Sequence, residues 1–119
     1  MKILVCGGRN FDDAHTFADV MRLVRPTGIV HGGATGADRL ALLYCQENGI
    51  PEHIFVADWK KHGRAAGPIR NREMVRLAAH LGVAACIAFP GGAGTEDCTK
   101  QAVAAGLLVL RVETKRKGR

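Results

Sequence analysis

Short apolar runs alternate with longer segments of helical spacing along this chain, and glycine separates them. Lys2-Ile-Leu-Val-Cys6 runs into Gly7-Gly8-Arg9, and Gly28-Ile-Val-His31 into Gly32-Gly33-Ala34-Thr35-Gly36. Ala84-Ala-Cys-Ile-Ala-Phe89 runs into Pro90-Gly91-Gly92-Ala93-Gly94-Thr95. A fourth break, Gly63-Arg-Ala-Ala-Gly67-Pro68, precedes a helical stretch. The unit repeated is a buried strand, a glycine turn and a helix. The pattern predicts strands at 2–6, 28–31, 53–57, 84–89 and 107–112. It predicts helices over about 14–24, 36–48, 68–82 and 95–105, with 58–67 as the longest irregular segment.

Continuous apolar strands alternating with helices imply a parallel sheet covered on both faces. Right-handed crossovers then give a single Rossmann-like three-layer α/β domain, five strands in the order 3-2-1-4-5, over residues 1–114. The switch point falls between the first and fourth strands and sets Gly7-Gly8-Arg9 beside the Pro90–Thr95 loop. All such turns in a parallel sheet lie at its carboxyl edge, where helix N-termini and bare backbone amides hold anions.

The Pro90–Thr95 loop is the most specific signal. Gly91, Gly92 and Gly94 let the backbone approach a ligand closely, and Thr95 either caps the next helix or bonds a phosphate oxygen. No lysine follows the last glycine, so this is not a Walker loop. In the second loop Gly32, Gly33 and Gly36 supply amides. Thr35 and Asp38 have capping-box spacing, so Asp38 either caps or accepts from a ligand hydroxyl. Arg9 lies within reach of a phosphate, Phe11 packs on the first helix or stacks on a base, and Asp12 or Asp13 caps that helix. In the helix after Pro68, Met74, Leu77, Ala78 and Leu81 mark a buried stripe whose extension toward the N-terminus meets Arg70 and Asn71. Arg72, Arg76 and His80 fall on the solvent side. Trp59, the sole tryptophan, lies with Arg64 in a basic, glycine-hinged segment that reads as a lid or as a hydrophobic anchor.

Composition narrows the reading. At 119 residues with 47% hydrophobic content the chain supports one core without disulfides or metal. Cys6, Cys45, Cys86 and Cys98 form no CxxC and the histidines are scattered, so neither zinc nor any other metal is expected, and no cofactor. No apolar stretch approaches the roughly 20 residues that span a bilayer. The first residues read as strand rather than signal peptide, and the expected location is cytoplasmic with no membrane partner. The net charge is +6, but four basic residues crowd the basic tail 115–119. Nucleic acid is therefore an unexpected partner, whereas a homo-oligomer fits the apolar faces of an open sheet.

Four stretches together are distinctive: Cys6-Gly-Gly-Arg-Asn-Phe-Asp-Asp13, His31-Gly-Gly-Ala-Thr-Gly-Ala-Asp38, Trp59-x₄-Arg64-x₂-Gly67-Pro-Ile-Arg-Asn-Arg-Glu-Met74 and Phe89-Pro-Gly-Gly-Ala-Gly-Thr95. They resemble the YspA-like branch of the SLOG superfamily over nearly the whole chain. That superfamily also holds the Lonely Guy phosphoribohydrolases and DNA-processing protein A. The resemblance implies a domain that binds a nucleotide or nucleotide-derived small molecule, as sensor or sequestering module. Its hydrolase branch implies the alternative, N-glycosidic cleavage of a nucleoside monophosphate or related nucleotide. There a PGGxGTxxE motif and an RKxxM stretch supply Glu and Arg. Arg70 and Met74 match the second motif and Pro90–Thr95 the first, but Cys98 occupies the glutamate position. A carboxylate beside an oxocarbenium ion would then have to come from Asp97 or Asp38.

Overall fold

The computed structural model describes residues 1–114, and the basic tail lies outside the described residues. The elements run β1 (Lys2–Cys6), α1 (Ala14–Val24), β2 (Gly28–His31), α2 (Ala37–Asn48), β3 (Glu52–Ile54), α3 (Trp59–His62), α4 (Ala66–His80), β4 (Ala85–Ala88), α5 (Ala93–Ala104) and β5 (Leu108–Arg111). The five strands form one parallel sheet in the order β3-β2-β1-β4-β5, the Rossmann-like topology that the alternation predicts.

Strand alternation divides the core into two layers, because successive side chains leave a strand on opposite faces. Ile3 and Val5 of β1 join Ile29, Ala85, Ile87 and Phe89 on one face, where Phe17 and Met21 of α1 and Ala41 and Cys45 of α2 cover them. Phe89 stacks on Phe17 with ring centroids 4.9 Å apart and tilts against Phe11 at 5.1 Å. Phe11 thus packs in this aromatic cluster. Leu4 and Cys6 join Val30, Cys86 and Ala88 on the other face, under Met74, Val75 and Ala78 of α4 and Cys98 and Ala102 of α5.

Helix ends follow local chemistry. Asp13 caps α1, its Oδ1 accepting from the Thr16 amide at 3.1 Å and its Oδ2 from the Thr16 hydroxyl at 2.7 Å. Gly49 ends α2 in the left-handed region. Pro68 sits in the first turn of α4, which begins two residues earlier than the proline suggests.

Some boundaries differ from the sequence reading. The third strand covers 52–54 rather than 53–57 because it is a sheet edge. Phe55 donates its amide to the His31 carbonyl at 2.9 Å, and the chain then leaves the sheet with Val56 exposed. Segment 58–67 is helical rather than irregular. Asp58 accepts from the Lys61 amide at 3.1 Å, nucleating α3, and a 3₁₀ turn at Gly63–Ala65 passes into α4. The last helix starts at Ala93, two residues before the predicted start at Thr95, and ends at Ala104. The edge strands also break the expectation of strands buried on both faces, for Ile54, Leu108 and Leu110 are exposed.

The loops meet through backbone. Gly8 donates its amide to the Pro90 carbonyl at 2.9 Å, and its own carbonyl accepts from the Ala37 amide at 3.2 Å. A side chain at Gly36 (φ +74°) would lie 2.0 Å from the Gly8 carbonyl oxygen, whereas one at Gly49 (φ +64°) meets nothing within 4 Å. Gly36→Ala is therefore expected to lower unfolding free energy by about 3 kcal/mol or more, through both strain and a backbone clash. Gly49→Ala is expected to lower it by only about 1 kcal/mol, the strain alone. Urea denaturation of the two variants checks this, and equal losses would refute the close approach.

Candidate functional site

A cavity of about 430 Å³ opens at the carboxyl edge of the sheet, between the β1 and β4 loops and the start of α4. Its lining includes Gly7, Gly8, Arg9, Asp38, Trp59, Arg64, Arg70, Asn71, Gly92, Gly94, Thr95 and Asp97. The parallel strands deliver these residues to one place because each strand ends at this edge.

The start of α5 forms one wall. Gly92 is its N-cap residue and no side chain caps it, while Glu96 makes the first intrahelical bond, to the Gly92 carbonyl at 3.0 Å. The amides of Ala93, Gly94 and Thr95 precede that bond, so they have no partner within the helix, and all three residues line the cavity. Uncapped first-turn amides and the positive end of the helix dipole suit an anion. Thr95 is buried and does not cap. A side chain at Gly91 would lie 2.2 Å from its hydroxyl oxygen and 2.6 Å from the Gly8 amide nitrogen, so Gly91 is there for close packing.

Cations contribute a second wall. The Arg9 guanidinium carbon sits 5.0 Å from the centre of the Trp59 ring, a cation–π contact at the cavity rim. Trp59 is 47% exposed, so this ring spans the rim rather than anchoring in the core. Arg64 lines the cavity beside it. Arg70 is more engaged with the protein itself. Its Nη1 donates to the carbonyls of Gly32 at 2.8 Å and Phe55 at 3.3 Å, and its Nε to Asn71 Oδ1 at 2.9 Å. A side chain at Gly32 would displace this guanidinium, meeting Nη1 at 2.3 Å.

Two carboxylates face the same space. Asp97 Oδ2 accepts from Asn71 Nδ2 and from Gln101 Nε2, both at 2.9 Å, so two amide side chains hold it in place. Glu96 points elsewhere, drawn to Arg111 of β5 at 3.0 Å. Asp38 is buried, and its Oδ2 accepts from the Ala34 amide at 3.2 Å. The capping box does not form, because Thr35 donates to the Arg9 carbonyl at 3.2 Å and α2 starts without a side-chain cap. Burial raises the Asp38 carboxyl above its ordinary 3.8, opposed by the Ala34 amide and by the nearby His31 ring and Arg70 guanidinium.

The remaining predicted residues support rather than line the cavity. Gly32, Gly33, Thr35, Gly36, Pro90 and Gly91 are absent from its lining. From the second loop only Ala34 and Asp38 reach it. His31 is fully buried: its Nδ1 accepts from the Gly33 amide at 3.1 Å, so Nε2 carries the proton toward Glu52 at 2.8 Å, tying β2 to β3. Cys6, Ala34, Gly67, Pro68, Met74, Ala93 and Cys98 also line the cavity. Gly67, Pro68, Ala93 and Cys6 stood within motifs already noted, Met74 read as part of a buried stripe, and Cys98 held the glutamate position of the hydrolase motif.

Residues 1–62 match the YspA, cpYpsA-related SLOG family. Gene 61 protein of Mycobacterium phage D29 is 41% identical over 122 aligned residues, covering 92% of this chain and 94% of the phage protein. The chain belongs to the YspA, cpYpsA-related SLOG family. Membership supports a nucleotide-related binding or processing role in general terms. The family match ends at His62, so it takes in Gly7–Arg9, Asp38 and Trp59 of this cavity, while Arg70, Asn71 and the α5 wall lie beyond it. No helix among the described residues is long and apolar enough to cross a membrane.

The Asp38 shift has a definite sign. The folded protein holds a proton on this carboxyl at pH values where the unfolded chain has released it. Its contribution to stability is thus fully present below 3.8 and is lost as pH rises through the raised folded value. The wild-type protein is expected to gain stability relative to Asp38→Asn as pH falls from neutrality toward 3.8, read by thermal unfolding across that range. A relative loss on acidification would show that hydrogen bonding outweighs burial.

Proposed function

We propose that this chain binds the phosphate of a nucleotide or nucleotide-derived small molecule in the cavity, acting as a sensing or sequestering domain. The observation that carries this reading is the uncapped start of α5, Gly92 to Thr95, in one cavity with Arg9 and Arg64. First-turn amides supply directional donors, and guanidinium groups supply bidentate ones. The volume of about 430 Å³ lies within the roughly 300–1,000 Å³ of small-molecule sites. Asp38 and Asn71 read hydroxyl groups on this view. Trp59 acts as the lid, its face offered to a base once Arg9 turns from the ring to the phosphate. Arg70 fixes the Gly32 and Phe55 carbonyls and contributes field more than direct contact.

A second reading, N-glycosidic cleavage, draws on Asp97. This carboxylate lines the cavity and is held by two amides, where it can stabilise positive charge developing on a ribosyl carbon. Cys98 stands where the hydrolase motif has its glutamate, so Asp97 would substitute for it, with Arg70 orienting Asn71 and through it the carboxylate.

A thermal-shift panel of nucleoside monophosphates and dinucleotides tests the first reading. At about 100 times its dissociation constant, a true ligand adds roughly 2.7 kcal/mol to stability. Arg9→Ala is expected to weaken that ligand about tenfold or more, consistent with loss of a charge-assisted contact of about 1.5–3 kcal/mol. No shift with any phosphorylated nucleoside refutes binding. Chromatography for free base on the same panel tests the second. If cleavage occurs, Asp97→Asn is expected to slow it about 100-fold or more while ligand binding persists. No free base leaves binding as the function.

A further inference from the structure

Three thiols converge beside the cavity. Cys6 ends β1, Cys86 lies in β4 and Cys98 in α5, and their sulfur atoms all lie within 4.8 Å of one another. Cys6 and Cys86 are 80 residues apart in sequence, with sulfurs 3.7 Å apart. Sheet register explains the meeting: Leu4 pairs with Cys86 and Cys6 with Ala88, so the two cysteines share a face one pleat period apart. Cys98 comes down on that face from α5. The cluster is buried, yet Cys6 and Cys98 line the cavity, so it is reached from there. The fourth cysteine, Cys45, belongs to the opposite core layer.

We propose that Cys6, Cys86 and Cys98 form a three-sulfur binding site for a thiophilic metal ion, zinc(II) or copper(I), with its open position toward the cavity. On a tetrahedral ion with bonds of about 2.3 Å, sulfurs stand about 3.8 Å apart. The Cys6–Cys86 separation of 3.7 Å already meets that spacing, and the other pairs close by no more than about 1 Å. Among the described residues no imidazole or carboxylate joins the group, and a donor set of sulfur alone selects soft or borderline ions over magnesium or calcium. The thiol protons leave to solvent as the ion binds. The site goes beyond the anion-binding reading and requires no nucleotide.

The test uses the full chain, reduced and stripped of metal, then equilibrated with zinc(II) alone or, without oxygen, with copper(I) alone against a coloured chelator. One equivalent of either ion is expected to be retained. Cys98→Ser is expected to weaken retention at least tenfold, and Cys45→Ser to leave it unchanged. X-ray absorption of the loaded wild-type chain is expected to show sulfur neighbours at about 2.3 Å for zinc. This reading does not depend on whether any cysteine variant folds. Retention of neither ion, equal retention by the two variants, or a shell of nitrogen and oxygen alone overturns the proposal.

Discussion

The backbone of Gly8 joins the three loops on which the rest of the site depends. Its amide is given to the Pro90 carbonyl and its carbonyl receives the Ala37 amide, so the ends of β1 and β4 and the start of α2 are held together through one residue. Such contacts need bare backbone on every side. A side chain at Gly8 would lie 2.9 Å from the Pro90 carbonyl oxygen, and one at Gly7 2.6 Å from the Ala37 side chain. The glycines therefore have two tasks that their abundance does not separate. Gly92 and Gly94 line the cavity, Gly32, Gly36 and Gly91 clear space for neighbouring loops or side chains, and Gly7 and Gly8 do both.

That junction stands on a sheet whose central strands bury both faces. Ile3, Leu4, Val5 and Cys86 have essentially no exposure, and each loop leaves a strand that cannot move without disturbing two packed layers. A rigid base with bare loops above it holds the backbone donors of those loops in fixed positions. The rim is different in character. Arg9 and Trp59 touch each other across exposed positions, so the rim is held by a surface contact rather than by packed core.

Charge within the cavity is mixed rather than of one sign. Arg9, Arg64 and Arg70 share it with Asp38 and Asp97. The protein's own hydrogen bonds engage Arg70 and Asp97, and Asp38 is held by the Ala34 amide. This leaves Arg9, Arg64 and the α5 amides as the groups most available to an incoming anion.

The alternation of apolar runs and helical spacing determined the fold class, the strand order and the gathering of glycine turns at one edge. Right-handed crossovers and the 3.6-residue period leave few alternatives. The helix stripe of Met74 and Ala78, extended to Arg70 and Asn71, likewise placed two residues at the cavity from spacing alone. Tertiary structure decided what spacing does not encode. It took Gly33 and Thr35 out of the cavity lining, held Asp97 between Asn71 and Gln101, and brought Cys6, Cys86 and Cys98 together across separate elements. The physical reason is that period and propensity act over neighbours a few residues apart. Which side chains meet across strands depends instead on register and packing, and these exist only once the sheet has closed.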